Sequence, residues 1–134
     1  MSAGENPCNI SFGQGSIQHY MREISGGKFK MGLGTQEHFV TLTQPFYMDI
    51  YPVTQKFWQA VMGKNASSFK SQSNPVEMVS WLDCIIFCNK LSLLEGLPKA
   101  YNTPQNLEDM VSRQVAPYDE HLNKISALIT QNRN

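Results

Sequence analysis

Net charge is what this chain lacks most plainly. Eleven Lys and Arg offset eleven Asp and Glu, and only 16% of the 134 residues are charged. A protein that gathers nucleic-acid phosphates needs a basic surface to release their counterions, so nucleic acid is not an expected partner. Long hydrophobic runs are lacking too. The apolar stretch from Cys84 to Cys88 falls far short of the roughly 20 residues a membrane-spanning helix needs, and no membrane partner is expected. Cysteine is scarce: Cys8, Cys84 and Cys88 are unevenly spaced, which makes no disulfide framework and suits a reducing compartment. The opening Met1-Ser2-Ala3-Gly4 has no basic n-region followed by an apolar stretch, so a cytoplasmic location is expected. The glycosylation sequons at Asn9 and Asn65 would matter only in a secreted chain.

What is present is apolar and aromatic: 41% hydrophobic residues and 10% aromatics suffice for one core and a single domain. Three regions are expected. Residues 1–18, rich in Gly, Ser, Asn and Gln, read as a loose leader. Residues 19–101 carry the patterned body. Within it, Tyr20 to Met31 suggests two strands in a hairpin turning at Gly26-Gly27, and Phe39 to Thr43 and Phe46 to Tyr51 read as strands separated by Pro45. Residues 102–134 form a helical insertion or tail.

Two helices have legible ends. Thr54 is a suitable N-cap, Phe57, Trp58, Val61 and Met62 recur at helical spacing, and Gly63 suits the left-handed C-cap. The polar stretch 64–74 follows, with Phe69 as the expected anchor to the body. Ser80 then caps a second helix with Asp83 at the capping-box position, and Gly96 with Pro98 ends it. Trp81, Cys84, Ile85, Cys88, Leu91 and Leu94 are its expected buried face, and Trp58 and Trp81 both read as core. In the tail, Leu107, Met110, Val111 and Val115 keep helical spacing up to Pro117. Tyr118, Leu122, Ile125 and Ile129 then repeat like a short coiled-coil seam. A helix lying on its own domain and a partner-binding or dimer-forming helix both satisfy that pattern.

Chemistry is thin. Cys84 and Cys88 stand four apart and can share one helix face, but their apolar neighbours Ile85, Ile86, Phe87 and Leu91 favour buried structural thiols over a metal or redox pair. His19, His38 and His121 are isolated from one another in sequence, which leaves a zinc site short of ligands. Gly26-Gly27-Lys28 runs into Phe29 rather than Ser or Thr, so it is no phosphate loop. Ser80 lacks a nucleophile elbow, and Glu77 with Asp83 makes a poor acid/base pair because both flank a helix start. No catalytic, cofactor-binding or metal residue is assigned, and no cofactor is expected.

Four ordered motifs carry a resemblance. They are Phe29-Lys30-Met31-Gly32, then Phe46-Tyr47-Met48-Asp49 leading into Pro52-Val53-Thr54-Gln55, then Asn74-Pro75-Val76-Glu77-Met78-Val79-Ser80-Trp81, and Phe87-Cys88-Asn89-Lys90-Leu91-Ser92. Over roughly Glu23 to Tyr101 the chain resembles the N-terminal part of the formylglycine-generating enzyme, or sulfatase-modifying factor, family. The resemblance implies an α+β, C-type-lectin-like fold, incomplete here: two short helices on a small antiparallel sheet, followed by the helical tail. It also implies that enzymes of the family oxidise a substrate cysteine with a copper-binding cysteine pair from the C-terminal half. Nothing in this sequence matches that pair, and Cys88 matches a family position outside it.

The expected function is therefore a non-catalytic, truncated module that binds a protein or ligand or forms part of a longer polypeptide. Two alternatives stand beside it: a fragment of a formylglycine-generating oxidase that needs the missing half, and an unrelated small interaction protein with a helical dimerisation tail. Family members joined to bacterial protein kinases make a bacterial setting the natural one. An incomplete domain is further expected to expose apolar helix residues, with Phe57, Trp58, Ile86 and Phe87 as candidates, and so to need a protein partner or to self-associate.

Overall fold

The computed structural model describes residues 9–12, 18–108 and 129–131, and the tail seam from Tyr118 to Ile125, Cys8 and His121 lie outside them. The chain order is β1 (Asn9–Phe12), β2 (His19–Ile24), β3 (Gly27–Met31), a 3-10 turn (Gly34–Gln36), β4 (His38–Leu42), β5 (Phe46–Asp49), α1 (Gln55–Met62), α2 (Trp81–Leu94), β6 (Tyr101–Asn102) and β7 (Thr130–Gln131). Two compact units divide the chain near residue 52: one holds β1 to β5, the other the helices with β6 and β7.

In the strand unit, β2 is the centre of an antiparallel sheet ordered β1-β2-β5, and β3 pairs with β4 alone. The expected β2–β3 hairpin is therefore not formed. Both edges of β2 are already occupied, with Arg22 opposite Asn9 on one side and Met48 on the other, so β3 turns away and finds its partner through the register Phe29↔Val40. The other two strands lie where alternation placed them.

Both helix starts follow the sequence signals. The Thr54 hydroxyl accepts from the Phe57 amide at 3.2 Å. Ser80 and Asp83 form a reciprocal capping box, each side chain accepting from the other's amide, at 3.1 and 2.9 Å. The stops follow as well. Gly63 takes φ 77° and donates to Gln59, while at the end of α2 Gly96 donates to Leu93 and Leu97 to Ser92, a Schellman pair built on Gly96 at φ 73°.

The buried face of α2 differs from expectation. Leu82, Ile85 and Ile86 cluster with Leu107, Tyr101 and Ile129, while Phe87, Cys88 and Leu91 pack with Phe57, Trp58 and Val61 of α1. At about 3.6 residues per turn these two sets lie on nearly opposite sides of the helix. A helix apolar nearly all round has no single stripe to read, and the expected stripe ran between the two true faces. Trp81 and Leu94 are consequently exposed, at 53% and 54%, and Trp81 is not core.

The residues expected to be exposed by truncation are instead buried: Phe57, Trp58, Ile86 and Phe87 retain 4–7% of their accessible surface. The two helices and the 101–107 segment close over them. Phe87 stacks on Trp58 at 4.9 Å with rings nearly parallel and meets Phe57 edge-on at 5.5 Å. Truncating a buried Phe removes its transfer free energy and leaves a cavity. We therefore expect Phe87→Ala to cost about 3–5 kcal/mol, against under about 1 kcal/mol for the exposed Trp81→Ala, both measured by urea unfolding followed by circular dichroism. Equal costs would mean that the aromatic cluster is not the core.

Candidate functional site

The connection between α1 and α2 is held by polar atoms rather than by the ring of Phe69, which is 78% exposed and anchors nothing. Gln55 is 1% exposed. Its Nε2 donates to the carbonyl oxygens of Phe69 at 2.8 Å and Pro75 at 3.3 Å, and its Oε1 accepts from Asn65 Nδ2 at 2.9 Å and the Ser71 amide at 3.2 Å. Asn65 Oδ1 in turn accepts from the Ser67 amide. Ser67, also 1% exposed, donates through Oγ to the Glu77 carbonyl and accepts from the Glu77 amide, while Glu77 Oε1 accepts from the Phe69 amide at 2.8 Å. The first amides of α1, which have no partner within the helix, donate to the loop as well: Gln55 to Asn74 and Lys56 to Gln72.

This clamp holds a strained turn. Met78, at φ 58°, is the one non-glycine residue with positive φ among the described residues. That geometry costs on the order of 1 kcal/mol and persists only where neighbouring bonds over-determine it. Glu77 on one side and the Ser80–Asp83 box on the other supply them. The result is a set of exposed apolar side chains, Phe69, Met78 and Trp81, carried on backbone with little freedom to rearrange.

The acid/base candidates dissolve in this geometry, since Glu77 clamps the loop and Asp83 caps α2. His19 is buried and shares a 2.7 Å bond from Nδ1 to Asp49 Oδ1, while His38 Nδ1 bonds the Gln36 carbonyl. No group of three or more His, Cys, Asp or Glu able to hold a metal occurs among the described residues. Cys84 and Cys88 are free and partly buried. Burial pushes both thiols above their ordinary pKa, helped at Cys84 by the Asp83 carboxylate and at Cys88 by Cys84. Such thiols are protonated at neutral pH and are poor nucleophiles and ligands.

Residues 14–113 match the family model for the sulfatase-modifying factor enzyme 1-like domain. The chain belongs to that family. It is 36% identical over 107 residues to a protein named chaperone protein LppX from Paenibacillus barcinonensis, a match covering 80% of this chain and 38% of that protein. Among solved structures it resembles Treponema denticola variable protein 1, with TM-score 0.65 and 33% identity over 74% of this chain and 40% of the other. The α+β fold expected from the motifs is thus the family's fold, and the chain spans well under half the length of both relatives.

The family motifs hold the residues that single-residue reasoning passed over. Gln55 stands in Pro52-Val53-Thr54-Gln55, directly after the Thr54 N-cap. Asn89, 7% exposed, stands in Phe87-Cys88-Asn89-Lys90 and clasps Tyr101, donating to its carbonyl at 3.0 Å and accepting from its amide at 2.8 Å. Polar residues inside apolar motifs were the available signal.

Folding favours the protonated thiols, because their folded pKa values are raised. That contribution to stability is complete below the ordinary thiol value and fades as pH climbs through the raised folded values. Iodoacetamide should therefore alkylate Cys84 and Cys88 at least about tenfold more slowly in the native chain than in urea at about pH 8. Equal rates in the two states would contradict protected thiols.

Proposed function

We propose that this chain is a non-catalytic binding module of the sulfatase-modifying-factor family that engages protein through exposed apolar side chains. The observation that carries the reading is the exposure of Phe69 at 78%, Met78 at 69% and Trp81 at 53% on backbone fixed by the Gln55 and Glu77 hydrogen bonds. Large apolar side chains on a fixed backbone leave only their own rotamer freedom, and none of the loop's, to be lost on docking. The strand unit adds Met31, Phe39 and Met48, each more than half exposed. A relative named as a chaperone protein agrees with a surface that meets other polypeptides. The free thiols in α2 agree with a reducing, cytoplasmic setting in a bacterial cell.

A second reading, part of a formylglycine-generating oxidase completed by further sequence, is favoured by the family match itself. In that case the copper-binding cysteines come from outside this chain, because Cys88 packs against the α1 cluster and both Cys84 and Cys88 are partly buried with raised pKa values that keep them protonated.

The test uses a defined client, the insulin B chain that aggregates after reduction. The protein is expected to suppress its light scattering at near-stoichiometric ratios. The variant Phe69→Ser/Met78→Ser/Trp81→Ser is expected to lose most of that effect while keeping the wild-type circular dichroism spectrum. No suppression, or equal suppression by the variant, overturns the reading. Stoichiometric copper(I) binding through Cys84 and Cys88 would transfer the case to metal or redox chemistry.

A further inference from the structure

A cleft of about 390 Å³ lies between the C-terminal half of α2 and residues 99–108. Its size falls within the range of small-molecule sites. Its lining includes Ile86 and Leu107, which are 6% and 4% exposed, whereas Leu93 is 55% exposed. Pro104 extends the apolar lining, and Lys90 and Lys99 bring positive charge to the same cleft. The acidic group among the lining residues is Glu108, whose Oε1 sits 2.8 Å from Lys90 Nζ.

The walls are preformed. Asn89 fixes Tyr101 through two hydrogen bonds, Tyr101–Asn102 pairs with Thr130–Gln131, and the Leu107 amide closes a turn onto the Pro104 carbonyl. A ligand entering such a cleft meets little ordering cost.

We propose that this cleft binds a small amphipathic carboxylate, with its apolar body against Ile86, Leu93 and Leu107 and its carboxylate at Lys90 in exchange for Glu108. Glu108 shows that a carboxylate reaches Lys90 within hydrogen-bond distance. The Lys90 and Glu108 side chains are 36% and 55% exposed, and an ion pair that open to water is weak and readily exchanged. The exchange leaves the Lys90 charge compensated and adds burial of the ligand's apolar body. Nothing in this proposal depends on the protein-binding surface at Phe69, Met78 and Trp81.

The experiment is a two-dimensional 1H–15N NMR titration of the full chain with sodium octanoate below its micelle concentration, with 1-octanol as the uncharged control. Saturable shifts confined to the amides of residues 86–108 are expected, with octanol weaker by about tenfold or more. Lys90→Gln should bring octanoate binding down to the octanol level. Glu108→Gln, which removes the competing carboxylate, should tighten it. Absence of saturable shifts in that segment overturns the proposal. So do equal affinities for octanoate and octanol, or binding unchanged in a Lys90→Gln chain that keeps its wild-type spectrum.

Discussion

The side-chain amide of Gln55 makes four hydrogen bonds at 1% exposure, and the helical unit is arranged around them. A buried amide with its full complement of partners is stable, but each group it would leave unpaired costs about 1–3 kcal/mol. Its partners, at Asn65, Phe69, Ser71 and Pro75, span the whole loop, so a polar, turn-rich segment is held as firmly as a regular element. The exposure of Phe69 follows from that constraint, while Met78 sits beside Glu77, which Ser67 holds, and Trp81 lies off the two buried faces of α2. Their backbone is fixed by bonds elsewhere, and their side chains are left to water.

The second determinant is the two-sided burial of α2. One side closes the aromatic cluster with α1, and the other covers the 101–107 segment together with Ile129. Asn89 does for Tyr101 what Gln55 does for the loop, satisfying its backbone carbonyl and amide with one side chain. The same helix carries Lys90 and Leu93 to the cleft and the Cys88 thiol to the α1 side. Its position therefore sets the candidate protein-binding surface, the cleft and the protonation of the cysteines together.

Local signals were legible in the sequence and non-local ones were not. Thr54, Gly63, Ser80, Asp83 and Gly96 mark helix ends through bonds to residues within a turn or so, and the structure places each in that role. The family and its fold were legible from four ordered motifs. Strand pairing was not, because neither Ile24 nor Gly27 reveals that β2 has partners on both edges. The face of α2 was illegible for a related reason, since an apolar residue at every angle leaves periodicity nothing to select. The clamp escaped because Gln55 and Asn89 are ordinary helix residues until their distant partners are known. Little of the candidate site could be read, because exposure at Phe69 is decided by polar groups that hold the backbone and exposure at Trp81 by which faces of α2 find partners.

Native-state hydrogen exchange of Gln55→Met tests the central claim most directly, since it removes the amide and keeps an unbranched side chain of similar size. If the amide fixes the loop, Ser67, Phe69 and Ser71, whose amides donate to Asn65, Glu77 and Gln55, lose protection by about tenfold or more while the α2 amides of Ile85 to Phe87 keep theirs. Wild-type protection throughout the loop would contradict the account and place the source of its rigidity elsewhere.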